Sequence, residues 1–166
     1  MTSTDMIVVG ADGSPADATA VEYALRDAAR RGARMRIVAA AQLPQAWAGG
    51  YAMPVLPSSE EITEDLRGAV RRQLDEVLSA HPELVAVPVT VEAVIGAPGR
   101  VLVEAAAGAD ELVLGHRGRG ALGSALLGSV GLHCVLHAPC PVTVVRPPMV
   151  AESALDDAVD AATVQV

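Results

Sequence analysis

Hydrophobic positions along the chain fall into short runs and longer stripes that alternate from one end to the other. The first run, MIVVGAD (Met6 to Asp12), is β-branched and stops at a turn signal, which predicts a strand. In the next segment, SPADATAVEYALRDAARRGA, Val21, Ala24, Leu25 and Ala28 share one stripe at helical spacing. Both ends of that helix are marked. Ser14 stands at the N-cap, Pro15 at the first helical position, Asp17 adds an acid to the first turn, and Gly32 follows a basic last turn. MRIVAAAQ predicts the second strand. An uncharged stretch from roughly Leu43 to Ser58 then exceeds the usual connection length, and it holds Trp47 and Tyr51.

A second helix follows from about Ser59 to Ala80, with Ile62, Leu66, Ala69, Val70, Val77 and Leu78 on one face. In VAVPVTVEAVIG, Val87, Val89, Val91 and Ala93 alternate with Pro88, Thr90 and Glu92. A period of two with a proline inside it predicts a strand at the edge of a sheet. A short helix from Pro98 to Ala107 stops at Gly108, and ELVLG is continuously apolar, as a strand covered on both faces should be. The last helix, near Ser129 to His137, leads through APCP into a fifth strand, VTVVRP. Strands alternating with helices imply right-handed parallel crossovers. The expected fold is α/β, a single doubly wound domain with a five-stranded parallel sheet and helices on both faces. Residues 1–148 form that domain, and 149–166 read as a flexible acidic tail.

Composition narrows the function classes. Apolar residues make up 51% of the 166 residues but aromatics only 2%, with no Phe. The core is therefore built from Val, Leu, Ile and Ala. Too few aromatic platforms remain for a single-stranded nucleic-acid binder, and a net charge of −8 argues against a duplex binder. Half of that charge sits in Glu152, Asp156, Asp157 and Asp160. Two cysteines, Cys134 and Cys140, suit a reducing compartment rather than a disulfide scaffold. The N-terminal residues lack a signal-peptide pattern, and the uncharged stretch is interrupted by Pro44, Gly49, Gly50, Pro54 and Pro57. The expectation is a cytoplasmic chain that binds neither membrane nor nucleic acid.

One segment runs against the global charge. GHRGRGALGSALLGSV, Gly115 to Val130, is glycine-rich and carries two arginines and a histidine but no carboxylate. Glycines let backbone N–H groups converge on phosphate oxygens, and the helix N-terminus that follows favours an anion. In a doubly wound sheet this loop and VGADGS would both lie at the carboxyl ends of strands, where ligands bind. The segment neither follows the first strand as a dinucleotide fingerprint does nor contains a P-loop G-K-[ST]. The same residues also admit a plain reading, a flexible connection with Ser129 as a helix cap. His133 and His137, four apart with Cys134 between them, are a conceivable metal pair without a third ligand at suitable spacing.

VVGADGSPAD at the start and LVLGHRGRGALGSALLGSVGLHCVLHAPCPVTVVRP at the end resemble the universal stress protein family. The signature of that family's ATP-binding branch, G-x2-G-x9-G-[S/T], falls on Gly115, Gly118, Gly128 and Ser129. The resemblance implies strand order 3-2-1-4-5 and ATP as ligand, with Mg2+ accompanying it. Gly10 and Asp12 would lie beside ribose and adenine, and the backbone of Ala40 would hold adenine. Gly115, His116, Arg117, Gly118, Arg119, Gly120 and Ala121 would wrap the phosphates, with Gly128, Ser129 and Val130 closing on them. Gly131 stands where the family often has a second small hydroxyl residue.

The implied function is that of a stress-linked regulator or sensor with at most slow hydrolysis, since neither loop supplies a second catalytic carboxylate. Two alternatives stay open: a nucleotide-independent interaction module of the same fold, and an adenylate-forming enzyme on a related one. The fifth strand, between Pro141 and Pro147, would present an open apolar edge, which predicts a homodimer paired through it. No protein partner is identifiable from the sequence.

Overall fold

The computed structural model describes residues 5–43, 57–116 and 127–147. The alternation of strand and stripe folds as expected. Strand β1 (Met6–Gly10) leads through a 3-10 turn at Pro15–Asp17 into helix α1 (Ala18–Arg31), then β2 (Arg34–Ala41) and α2 (Ser59–Ala80). After a second 3-10 turn at Pro82–Leu84 come β3 (Val89–Ile95), α3 (Pro98–Ala105), β4 (Glu111–Gly115), α4 (Ser129–His137) and β5 (Val142–Val145). All five strands pair in parallel in the order β3-β2-β1-β4-β5.

The two sheet faces carry separate cores. Ile7, Val9, Ile37 and Val113 pack with Val21 and Leu25 of α1 and with Leu66, Val70, Leu74 and Val77 of α2. On the other face Val8, Val38, Leu112 and Leu114 pack with Leu102 of α3 and Cys134 of α4. Each such side chain taken fully out of water contributes about 1.5–3 kcal/mol. The edge strand β3 has the pattern its sequence predicts, half-buried at Val89, Val91 and Ala93 and exposed at Thr90 and Glu92.

Local chemistry explains the helix boundaries. A reciprocal capping box starts α2: Ser58 Oγ accepts from the Glu61 N–H at 3.1 Å, and the Glu61 carboxylate accepts from the Ser58 N–H at 2.7 Å. Gly32 ends α1 in the left-handed conformation, φ 64°. At the start of α1 the sequence expectation needs correction. The Pro15 segment is a 3-10 turn, the α-helix proper begins at Ala18, and Asp17 is not a solvated first-turn acid but is 5% exposed. Its carboxylate faces back into the preceding turn, where the Asp12 N–H needs an acceptor. Helix α3 ends two residues earlier than its pattern suggests, at Ala105. Helix α4 takes Gly128 as its N-cap, which makes Ser129 the first helical residue instead of the cap.

Candidate functional site

The strand register brings four chain segments level at the carboxyl edge of the sheet. Gly10 pairs with Val38 on one side and Leu114 on the other, and Leu114 pairs with Val144. Two residues further along these chains stand Ala40, Asp12, His116 and Arg146. Strand order reverses between β1 and β4, the position at which doubly wound sheets bind ligands. The structure thus assembles Gly10, Asp12, Ala40, Gly115 and His116 along one edge.

Ala40 has a defined backbone orientation. The Ala11 N–H donates to the Val38 carbonyl at 3.2 Å, so Val38 turns its peptide groups toward β1. The Gly96 N–H donates to the Ala41 carbonyl at 2.9 Å, so Ala41 faces β3. Alternation then directs the Ala40 N–H and carbonyl to the β1 side, just beyond the last residue of β1. This is a place for a flat ring that reads a donor and an acceptor.

Asp12 begins a tightly bonded turn. Its carboxylate accepts from the Ser14 N–H at 2.8 Å, its own N–H donates to the Asp17 carboxylate at 2.7 Å, and the Asp17 N–H donates to the Ser14 carbonyl at 3.0 Å. Burial, reinforced by the neighbouring Asp12 carboxyl, pushes the Asp17 carboxyl up to about 7 despite the hydrogen bond from the Asp12 N–H. Gly13 holds φ at +78°, and a Cβ there would lie 2.8 Å from Ala69 Cβ on α2. Gly10 also has a packing role, since a Cβ on it would fall 2.7 Å from Leu114 Cδ2 and 2.8 Å from Leu102 Cδ1.

The second loop leaves β4 at Gly115. The His116 N–H donates to the Val145 carbonyl at 2.8 Å, anchoring the loop's first residue to β5. Arg117, Gly118, Arg119, Gly120 and Ala121 lie outside the described residues. The loop's far end is the N-terminus of α4, where Leu132 makes the first intrahelical bond, to the Gly128 carbonyl. The N–H groups of Ser129, Val130 and Gly131 precede it and have no acceptor within the helix. Among the described residues a Cβ on Gly128 would meet nothing within 4 Å, and Ser129 is exposed. Bare backbone, a free hydroxyl and the positive end of a helix are what a phosphate group requires. At Gly131 an added Cβ would lie 2.7 Å from Leu127 Cδ1, so Leu127 packs against this position.

The other candidates resolve simply. The His133 and His137 rings stack with centroids 4.4 Å apart, and His137 Nδ1 lies 2.8 Å from the His133 carbonyl oxygen. Among the described residues no three His, Cys, Asp or Glu gather where they could hold a metal ion. Cys134 is buried and its thiol is pushed up to about 11 by that burial. Trp47 and Tyr51 lie outside the described residues, as does the 149–166 segment. Among the described residues no helix is long and apolar enough to cross a membrane. Sequence reasoning did not identify Gln73 of α2, 5% exposed, whose amide donates to the Ser14 carbonyl. The signal was present: position 73 lies on the apolar stripe of α2 between Val70 and Val77, and a polar residue there needs a partner.

Comparison with known proteins agrees with this architecture. The chain matches the universal stress protein family over residues 4–146. It is 36% identical to a universal stress protein of Mycobacterium tuberculosis over 149 residues, and 33% identical to one of Mycolicibacterium smegmatis over 142. Each match covers 84% of this chain and 47% of the relative, so the chain spans about half the length of the curated relatives it matches. Among solved structures, a universal stress protein in complex with cAMP has a TM-score of 0.62 and 26% identity, covering 87% of this chain and 98% of that one. A universal stress protein from Lactobacillus plantarum shares the fold with a TM-score of 0.63 at 23% identity, covering 88% of this chain and all of its own. The Asp12 turn, the Gly128–Ser129 helix start and the 3-2-1-4-5 sheet all lie within the matched residues, and the chain belongs to the universal stress protein family.

Proposed function

We propose that this chain binds an adenine nucleotide, ATP in the first instance, and acts as a nucleotide-responsive regulator rather than a fast enzyme. The observation that carries this reading is the level alignment of Ala40, Asp12 and His116, with the bare helix start at Gly128–Ser129 beyond them. Adenine would read the Ala40 backbone, ribose would lie against Gly10 and Asp12, and the phosphates would meet Gly115 to Ala121 together with Gly128, Ser129 and Val130. Mg2+ would arrive with the phosphates. The related structure solved with cAMP supports the adenine class of ligand. When bound, the nucleotide supplies a polyanion; the chain's own groups bind, orient and partly desolvate it. The carboxyl beside Asp12, that of Asp17, is buried and accepts from the Asp12 N–H, which favours a binding role over phosphoryl transfer.

Mass spectrometry of the denatured, freshly purified protein tests the reading by showing whether an adenine nucleotide copurifies. Calorimetry with ATP and Mg2+ should then show saturable binding to the stripped protein, and no binding at millimolar nucleotide would refute it.

The same reading includes a two-fold homodimer through β5. That strand is last in the sheet order, and α4 beside it exposes Leu132, Val135 and Leu136, each about half exposed or more. An open strand edge next to apolar side chains favours pairing with a second copy. Light scattering on the full chain and on a version ending at Pro148 checks it, with a dimer expected from both. A full-length monomer that dimerises only on truncation would show that residues 149–166 cover the edge.

A further inference from the structure

Beneath the candidate site lies a set of buried polar groups that a nucleotide would not itself touch. The turn from Asp12 to Asp17 is clamped from two sides. From below, the Asp17 carboxylate holds the Asp12 N–H at 2.7 Å. From behind, one face of α2 presses on the turn: Ala69 and Val70 crowd Gly13, and one helical turn later the Gln73 amide donates to the Ser14 carbonyl. Asp17 and Gln73 are both 5% exposed, and the Oε1 of Gln73 is buried without a hydrogen-bond partner among the described residues. Buried polar atoms cost free energy unless something else gains from them. An apolar residue at either position would pack the core at less cost, so the polar choice answers to the turn above it.

Resting on the nucleotide-binding reading, we infer that Asp17 and Gln73 are positioning residues that lock the Asp12 turn in its ligand-ready shape. Asp17 fixes the backbone at Asp12 and so the direction in which the Asp12 side chain leaves the sheet edge. Gln73 fixes the carbonyl of Ser14, which also accepts from the Asp17 N–H, so the two clamps close on one peptide segment. Because Gln73 belongs to α2, a displacement of that helix would be felt at the Asp12 turn. The site is thereby linked to the helix that packs beside α1 on the same face of the sheet.

The test compares Asp17→Ala, which removes the acceptor, with Asp17→Asn, which keeps an oxygen able to accept from the Asp12 N–H. ATP affinity is read by calorimetry, fold retention by circular dichroism, and protection of the Asp12 amide by hydrogen exchange. The clamp predicts at least a tenfold loss of ATP affinity and of Asp12 amide protection in Asp17→Ala, with both restored to within about threefold in Asp17→Asn. Gln73→Met, which keeps the volume and loses the amide donor, should weaken ATP several-fold and carries the test should Asp17→Ala fail to fold. A folded Asp17→Ala, or a folded Gln73→Met in its place, that binds ATP as the unaltered chain does would overturn the clamp while leaving the nucleotide reading intact. An unaltered chain that binds no ATP would overturn the nucleotide reading and the positioning role with it. The amide protection in that case still reports whether Asp17 holds the turn.

Discussion

The two ends of the sheet carry acids in opposite circumstances. At the amino edge, Arg31 at the end of α1 reaches Asp27 at 3.0 Å, Glu111 at 2.9 Å and Asp5 at 3.2 Å, and Thr143 of β5 donates to Glu111 at 2.6 Å. Burial alone would raise the Asp27 carboxyl, but hydrogen bonds from Arg30 and Arg31 outweigh it and hold the group below its ordinary value. At the carboxyl edge, Asp17 is buried beside Asp12 and is pushed up to about 7. One edge has its charges neutralised by partners within the fold and so ties β1, β4, β5 and α1 together. The other holds a carboxyl raised by burial and a helix start whose first N–H groups have no acceptor within the helix. That contrast supports the proposal that a ligand binds at the carboxyl edge.

The largest effect is expected at Gly13. Gly13→Val adds left-handed strain to a collision with Ala69, so urea unfolding should show a loss of about 3 kcal/mol or more. A loss under about 1 kcal/mol would mean that the turn is not pressed against α2. Next comes the amino edge. Arg31→Met leaves Glu111, 8% exposed, without its cation and should cost about 2 kcal/mol while ATP affinity stays within twofold. An affinity loss there would erase the distinction between the two edges.

Smaller still is the pH response of Asp17. Its folded value near 7 lies above the ordinary 3.8, so between those values the folded chain holds a proton that the unfolded chain has released. Stability from this group is present toward pH 4 and is lost as pH rises through 7. Asp17→Asn should therefore gain on the unaltered chain by about 1–2 kcal/mol between pH 6 and pH 8. Thermal or urea melts at the two values check the sign, and a gain that shrinks toward pH 8 would contradict the buried-carboxyl account.

Most of the fold was legible because the patterns are strong and locally consistent. The Leu66–Val70–Val77 stripe and the Ser58/Glu61 box specify α2 almost to the residue, and the alternation from Val87 to Ala93 places β3 at the edge. At the site, the spacing of Gly115, Gly118, Gly128 and Ser129 pointed to the loop through the family resemblance, and the register sets His116 level with Asp12. What the sequence hid depends on contacts between distant segments. Asp17 reads locally as a helix-start acid, and only the folded turn shows that its carboxylate points back to Asp12. Gly10 reads as a ligand-side glycine, yet Leu102 and Leu114 from two other elements fill the space beside it. Ser129 and Gly128 exchange cap and first-turn roles by a single residue, a shift that pattern alone does not resolve.

The central claim, that the carboxyl edge receives a nucleotide whose phosphates rest on the start of α4, is tested most directly at Gly128. A Cβ there meets nothing within 4 Å among the described residues, so Gly128→Ala should fold and melt as the unaltered chain does. If phosphate approaches that backbone, the same methyl group stands in its way, whereas Ser129→Ala removes one hydrogen bond of about 1 kcal/mol. Calorimetric titration of ATP into the three proteins should show Gly128→Ala weakened at least tenfold and Ser129→Ala by less. Equal ATP affinity in Gly128→Ala and the unaltered chain would contradict the account.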